Sequence, residues 1–239
     1  MNPGQPRVSI VIPIHNEEAI LHAAVVDLRE RLGECGHTWE LVLAENGSTD
    51  ATIQVADALA RKYPNISVLS IPSPNYGSAL RVGIQAARGE FVICDEIDLC
   101  DTDFHARALT LLGTSDFDII VGSKLLCGAS DERPWMRHAA SYLYSTMLRV
   151  TLGFRGTDTH GLKALRRQRI LPIVNSCVVE RDVFASELII RAERAGLRIL
   201  EIPVRVMEKR PPSINLLARV PRVVSNVLKL AIALRHGPP

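Results

Sequence analysis

Val8-Ser-Ile-Val-Ile-Pro13 is a near-continuous apolar run closed by a proline, the pattern of a parallel strand buried on both faces. Leu21, Val25, Leu28 and Leu32 follow at spacings of four, three and four, which is one face of a helix. Asn16 stands where a cap would, Glu17 and Glu18 fall in the predicted first turn, and Gly33 and Gly36 close the helix. Trp39-Glu-Leu-Val-Leu-Ala44 reads as a second strand. Ser48-Thr49-Asp50 opens a second helix with Ile53, Ala56, Ala60 and Tyr63 inward. Residues 66–71 predict a third strand, 77–87 a third helix and 90–94 a fourth strand. Beyond Ile119-Ile-Val121 the pattern loosens. There, helices are predicted over 133–152 and 183–195, a loop over 153–161 and a strand over 200–206.

Strand and helix alternating at this spacing build right-handed parallel βαβ units, so the expected fold is α/β with a mostly parallel central sheet flanked by helices. Ligands of such sheets gather beyond the carboxyl ends of the strands. The polar clusters fall there: His15-Asn16-Glu17 after the first strand, Glu45-Asn46-Gly47-Ser48 after the second, and Asp95-Glu96-Ile97-Asp98 after the fourth.

From residue 213 onward, Leu216, Leu217, Val220, Val223, Val224, Val227, Leu228, Ala231 and Leu234 recur at helical spacing, with Arg222, Asn226 and Lys229 opposite. Pro221 is expected to split this segment into two helical pieces. The organisation predicted is therefore an α/β domain over 1–212 and an amphipathic basic tail over 213–239. That tail either packs on the domain or lies in the plane of a membrane.

Charge sharpens the second option. The chain of 239 residues carries only +2 overall, which argues against a surface that coats nucleic acid. From Arg205 to the end, however, there are seven Lys/Arg and one acid, leaving the remainder at −4. A cationic tail suits an anionic neighbour such as a membrane surface. Met1-Asn-Pro-Gly-Gln-Pro6 holds no apolar leader core. No stretch reaches the roughly 18–20 uncharged apolar residues that span a bilayer. Five cysteines, an odd number without C-x-x-C spacing, read as reduced cytosolic thiols. The expected location is cytoplasmic, peripheral on the cytosolic face of a membrane.

Glu96-x-Asp98 places two carboxylates in one turn, where they can converge on a hard divalent cation, Mg²⁺ or Mn²⁺. A cation so held would neutralise a diphosphate leaving group. Glu45 and Asn46 are placed to meet a nucleoside. Gly77-Ser78 before a helix could leave N–H groups for phosphate. The chain has neither Gly-x-Gly-x-x-Gly nor a Gly-Lys-Ser/Thr P-loop, which counts against a dinucleotide oxidoreductase and a nucleoside triphosphatase.

Val8-Ser-Ile-Val-Ile-Pro-Ile-His-Asn-Glu-Glu18 and Glu45-Asn-Gly-Ser-Thr-Asp-Ala-Thr52 resemble segments of family 2 glycosyltransferases. So do Asn75-Tyr-Gly-Ser-Ala-Leu-Arg-Val-Gly83, Val121-Gly-Ser-Lys124, Gly161-Leu-Lys-Ala-Leu165 and Glu201-Ile-Pro-Val204. The resemblance is greatest to the dolichyl- or polyprenyl-phosphate mannosyltransferase branch. It implies a GT-A fold, a nucleotide-sugar donor, a divalent metal and a polyprenyl-phosphate lipid acceptor, and it allows a membrane partner subunit. Carried over by position, Pro13, His15, Glu17, Ala44 and Asn46 would line the nucleoside pocket. Glu96, Ile97 and Asp98 would hold metal and diphosphate, with Glu96 and Asp98 as the ligands. Lys124, Arg137 and Ser141 would hold the acceptor phosphate near the transferred sugar, and Arg210 would cover the diphosphate. The motif's usual first aspartate is Glu96 here, a glutamine common after it is Cys100, and His15 and Asn46 replace a tyrosine and an aspartate. Asp158-Thr-His-Gly161 is one residue shorter than the corresponding family loop. The donor expected is GDP-mannose, with UDP-glucose and UDP-N-acetylglucosamine as competitors. A soluble acceptor and a non-catalytic nucleotide-sugar-binding protein are the alternative readings.

Overall fold

The computed structural model describes residues 5–131, 135–179, 183–206 and 216–235. The strands β1 (Val8–Ile14), β2 (Trp39–Asn46), β3 (Ile66–Ile71) and β4 (Phe91–Cys94) alternate with the helices α1 (Leu21–Gly33), α2 (Thr52–Lys62) and α3 (Tyr76–Ala86). Then follow α4 (Thr102–Thr114), β5 (Ile119–Ser123), the short β6 (Ser130–Asp131) and α5 (Trp135–Leu152). The chain continues through β7 (Lys163–Arg166), α6 (Arg167–Ser176), α7 (Phe184–Arg194), β8 (Ile199–Pro203), the short β9 (Arg205–Val206) and α8 (Leu216–Arg235).

Seven strands form the main sheet in the order β3-β2-β1-β4-β7-β5-β8, and β6 pairs with β9 beside it. All main-sheet pairings are parallel except those of β7, which runs antiparallel to β4 and β5. The strand order turns back between β1 and β4, and a crevice opens at such a reversal. Alternate residues of β1 feed two cores. Ile10, Ile12 and Ile14 pack with Leu21, Val25 and Leu28 of α1 and Phe104 of α4. Val11 packs on the other face with Leu80 of α3, Phe184 of α7 and Leu230 of α8.

Several sequence expectations need correction. Asn16 does not cap α1, and Glu17 and Glu18 are not in its first turn, which begins at Leu21 without an acidic residue. These residues are bonded across to the next loop instead. On α2 and its C-cap, Ala56 is buried and Ala60 and Tyr63 pack against the core as expected, joined by the buried Thr52 and Leu59, whereas Ile53 is only half-buried. The strand expected over 200–206 is two strands on different sheets. The tail helix is not divided, since α8 continues through Pro221. A proline early in a helix removes one N–H donor, and the turns that follow, packed against the domain, outweigh that loss. Residues 102–114, 163–166 and 167–176 were not foreseen as elements. The part of the predicted helix at 133–134 lies outside the described residues.

Gly161 lies where the loop before β7 crosses β5. A Cβ there would come 1.8 Å from the Gly122 carbonyl oxygen, a backbone atom with no freedom to yield. Gly161→Ala should therefore lower stability by more than about 2 kcal/mol in chemical denaturation, in line with forced backbone displacement. Gly33→Ala, where no atom stands within 4 Å of the added carbon, should leave the midpoint unchanged or slightly raised.

Candidate active site

The loops after β1 and β2 are bonded into one unit. Asn16, at φ 55° in the left-handed region that asparagine tolerates, donates its N–H to Ser48 Oγ at 3.0 Å and accepts the Thr49 N–H on Oδ1 at 2.9 Å. The Glu17 N–H donates to Thr52 Oγ1 at 2.7 Å, and Glu18 Oε2 accepts the Ala51 N–H at 2.8 Å. Asp50 accepts the Thr52 N–H at 3.0 Å and the Glu18 N–H at 3.3 Å, spanning both loops. The His15 ring lies exposed above this unit, its Nδ1 2.8 Å from the Asn46 carbonyl oxygen. Pro13 and Ala44 are register partners at the ends of β1 and β2, Pro13 half-buried and Ala44 buried.

Glu45 is structural. Its carboxylate accepts the Ser48 N–H at 2.5 Å and the Ser70 hydroxyl at 2.7 Å. Burial alone would raise its pKa, but these bonds outweigh it and hold the carboxyl below the ordinary glutamate value. The placement of Glu45 against a nucleoside therefore gives way to a tie between β2, its loop and β3. Asn46 is buried too, and its Oδ1 accepts the Asn75 N–H at 2.5 Å. Its amide NH₂ supplies donors that a ligand carbonyl could meet.

The loop after β4 carries the carboxylates. Asp95 is buried, with Oδ1 accepting the Glu96 N–H at 2.7 Å and Oδ2 lying 2.6 Å from His105 Nε2 on α4. This pair fixes the backbone from which Glu96 and Asp98 project. Ile97 and Cys100 turn into the core under the loop. Cys100, at φ 45°, directs its Sγ to the Ile97 carbonyl at 3.4 Å and so closes the turn. Glu96 is open to the rim as a residue, yet its carboxyl is raised to about 7, first by desolvation and then by the Asp98 carboxylate.

Lys124 follows β5, and its Nζ lies 2.8 Å from Asp158 Oδ2. Burial would raise the Asp158 carboxyl, but the Lys124 ammonium and the His160 N–H hold it below the usual value. Lys163 on β7 is buried, opposite Cys94 in register, and donates to the Gly161 carbonyl at 2.6 Å. Desolvation lowers its pKa, and the charges of Asp158 and Glu96 oppose that shift. Tyr76 opens α3 and is partly exposed as a residue, while desolvation of its hydroxyl, followed by the charge of Glu96, holds the phenol well above its ordinary pKa. Arg137 and Ser141 are half-buried on α5, whose Tyr144 ring meets the His160 ring edge-on at 5.0 Å between centroids. Arg210 lies outside the described residues.

The sequence reading placed Asp95 in the polar cluster after the fourth strand and quoted Asp158, Tyr76 and Lys163 within motifs without a role, and it missed His105. A lysine inside the apolar run Leu162-Lys-Ala-Leu165 was the available signal for Lys163. The ten-residue separation of Asp95 and His105 gives none.

A mostly parallel sheet with its polar loops at the strand-order reversal, an acidic turn after β4 and lysines facing it define a glycosyltransferase of the GT-A type. Residues 9–172 match the family described as Glycosyl transferase family 2, and the chain belongs to that family. It is 26% identical over 248 residues to dolichyl-phosphate beta-glucosyltransferase ALG5A of Trichomonas vaginalis, covering 99% of this chain and 76% of that enzyme. It is 25% identical over 204 residues to undecaprenyl-phosphate 4-deoxy-4-formamido-L-arabinose transferase of Edwardsiella ictaluri, covering 84% of this chain and 60% of that one. The fold is shared with glucosyl-3-phosphoglycerate synthase from Mycobacterium tuberculosis, solved with Mn²⁺, UDP-glucose and phosphoglyceric acid. The TM-score is 0.67 at 22% identity, over 95% of this chain and 80% of that one.

The charge arrangement has a direct readout. In metal-free protein, carboxyl ¹³C resonances of labelled glutamate should show Glu96 titrating at about 7. Asp98→Asn should lower that value only in part, because desolvation is the larger cause and remains. A Glu96 titration in the ordinary glutamate range in the unsubstituted chain would contradict the arrangement.

Proposed function

We propose that this chain transfers a hexose, with inversion, from a nucleoside diphosphate to a polyprenyl phosphate. The observation that carries the reading is the Glu96–Asp98 carboxylate pair, electrostatically coupled to Lys124 and Lys163 at the mouth of the β1–β4 crevice. A diphosphate with a cation between it and the carboxylates satisfies both signs of charge. Among the described residues no group of three or more His, Cys, Asp or Glu side chains converges as a metal site. Glu96 and Asp98 fit Mg²⁺ or Mn²⁺ as a pair, since these ions are commonly held by one or two carboxylates with substrate phosphates and water completing the shell. When bound, the ion would supply charge neutralisation of the leaving diphosphate.

The protein's own groups supply the rest. The bonded loops after β1 and β2 form a fixed floor for the nucleoside, with Pro13, His15, Glu17, Ala44 and Asn46 as the lining we propose. The Asn46 amide would donate to a base carbonyl. Asp158 holds Lys124 in one orientation, so that its ammonium positions an incoming phosphate without a search through rotamers. Arg137 and Ser141 would complete that phosphate site, and Arg210 would close over the diphosphate. A phosphate acceptor is already anionic near neutral pH, so no strong general base is required.

For the sugar we favour glucose over the mannose suggested by motif resemblance, because the relative from Trichomonas vaginalis is a glucosyltransferase acting on dolichyl phosphate. UDP-glucose is the donor proposed, with GDP-mannose and UDP-N-acetylglucosamine as competitors. A lipid acceptor places the enzyme at the cytosolic face of a membrane, alone or beside a membrane subunit. No helix among the described residues is long and apolar enough to cross a bilayer.

A thermal-shift panel of UDP-glucose, GDP-mannose and UDP-N-acetylglucosamine with Mn²⁺ tests the donor. At a hundredfold excess over Kd the right donor should raise the midpoint by roughly 5–10 °C, and EDTA should cancel most of the shift. Asp98→Ala should keep the unliganded midpoint and lose about a hundredfold or more in transfer to a polyprenyl phosphate. Unchanged transfer in that variant would remove Asp98 from the chemistry. A larger shift with GDP-mannose would restore mannose.

A further inference from the structure

A cavity of about 670 Å³ lies between α1 and α4. It runs along α4 from Thr102 to Thr114 and reaches the beginnings of β1 and β2 at Val8 and Trp39. The sequence explains why the helices leave this space. Ala106, Thr110 and Gly113 recur at spacings of four and three among the lining residues of α4, so the helix presents small side chains there. Leu32, Trp39, Ile93 and Leu109 give the cavity apolar walls. The Arg7 side chain reaches along them to Gly113, its Nη2 3.8 Å from where a Cβ would stand.

The polar groups of the lining select the occupant. Arg7 meets His37 Nδ1 at 3.4 Å and lies over the Phe91 ring at 5.9 Å, but no carboxylate pairs with it among the described residues. Of the described lining residues only Glu34 is acidic, and it is exposed. Arg31 pairs with Asp27 at 2.6 Å, yet its Nε is buried without a partner. Nδ1 of His105, whose side chain is 3% exposed, is likewise without a partner. A buried polar atom left unpaired is costly, and such atoms on residues that line a cavity mark where a ligand's polar group belongs. An arginine without a carboxylate, beside apolar and aromatic walls, fits a flat apolar body that carries an anionic group.

Two of these lining residues also hold the acidic loop from behind. Nε2 of His105 lies 2.6 Å from Asp95 Oδ2, and Asp95 Oδ1 accepts the Glu96 N–H. Arg31 Nη1 donates to the Cys100 carbonyl at 2.9 Å and to Thr102 Oγ1 at 3.2 Å. His105 thus holds the start of the loop and Arg31 its end. We infer that the cavity between α1 and α4 is a binding site for a small organic anion with a flat apolar body, and that its occupant acts on the acidic loop through His105 and Arg31. A ligand bonded to His105 Nδ1 or Arg31 Nε bears on the same ring or guanidinium that fixes the loop, so occupancy of the cavity and binding at the loop are coupled in both directions. The site itself does not depend on the transferase reading; only the coupling reaches residues proposed to hold the diphosphate.

The test uses the full chain, labelled at isoleucine, leucine and valine methyl groups, with 1-naphthoate as the probe and uncharged 1-naphthamide as the control. Naphthoate should shift the Leu32, Ile93 and Leu109 methyl resonances saturably, and bind at least about fivefold more tightly than naphthamide. Arg7→Gln should abolish that preference. Ala106→Trp, at an exposed position of α4, should close the cavity and weaken both ligands about tenfold or more at an unchanged melting midpoint. The Ile97 methyl, in the acidic loop and outside the cavity, should move along the same saturation curve. Saturating naphthoate should change the Kd of UDP with Mn²⁺ about threefold or more, and Arg31→Lys should reduce that change. No saturable shift at Leu32, Ile93 and Leu109 up to about 10 mM naphthoate, or shifts unaltered by Ala106→Trp, would overturn the site. Shifts there with Ile97 and the UDP affinity unmoved would overturn the coupling. The methyl shifts require neither nucleotide nor sugar transfer, so failure of the site and failure of the transferase reading are separate results.

Discussion

The balance of charge at the ends of β4, β5 and β7 constrains everything else in this molecule. Lys163 and Asp158 are buried and Lys124 is mostly buried, while Glu96, exposed at the rim, is crowded by the Asp98 carboxylate. Removing such groups from water costs several kcal/mol each unless partners offset it. The offset is incomplete by design of the sequence: Asp158 and Lys124 satisfy each other, whereas Glu96 and Asp98 repel. On the function proposed, a centre with two matched charges and two crowded like charges would gain most from a cation and a phosphate. This is the electrostatic form of preorganisation, in which donors and charges are held before the reacting groups arrive.

That balance depends on topology. The antiparallel β7, inserted between β4 and β5, carries Lys163 to the end of the sheet opposite Cys94, one residue before the acidic loop. A wholly parallel sheet would bring the beginning of a strand to that edge only at its other end. The close crossing of Gly161 over Gly122 then lets the preceding loop lower Asp158 onto Lys124. On the other side of the crevice, the cross-bonds from Asn16 to Ser48 and Thr49, and from Glu18 to Ala51, make one rigid surface from two loops. The loops after β1 and β2 are thus fixed by hydrogen bonds, several of them from backbone N–H groups to carboxylates, and the ends of β5 and β7 by ion pairing.

The first half of the fold was legible because β1 and β2 are long buried apolar runs and periodic helices space out the shorter β3 and β4 after them. The second half was harder to read for specific reasons. β7 is four residues long and contains a lysine, so its composition argues against a buried strand until the carboxylates around it are known. α6 carries Pro172 within it. The acidic turn was legible as a metal and diphosphate candidate from its position after a strand. What Asn46 and Glu45 bond to was not, because both are satisfied by Asn75, Ser48 and Ser70, whose proximity only the sheet register creates. Asn16 and Glu17 looked like helix-terminal residues for the same reason: asparagine and glutamate are favoured there, and the partners that draw them away lie more than thirty residues along the chain.

The tail shows how one periodicity can conceal two destinations. Its apolar positions exceed what a single buried stripe requires, and the surplus was read from sequence as a choice between packing on the domain and lying on a membrane. In the structure the helix packs on the domain. Val227, Leu230 and Leu234 fill the core beside α7, whose Arg191 and Arg194 donate to the carbonyls of Ala233 and Leu234 near the helix end, and Val224, Leu228 and Ile232 remain outside. The same surplus occurs on α5, where sequence alone suggested only a helix. A helix packed on a domain normally spends its outer face on charge pairs that keep it soluble. These two spend theirs on leucine, valine and aromatics without a single carboxylate. Internal packing does not require that composition, since the buried stripes of both helices are complete without it.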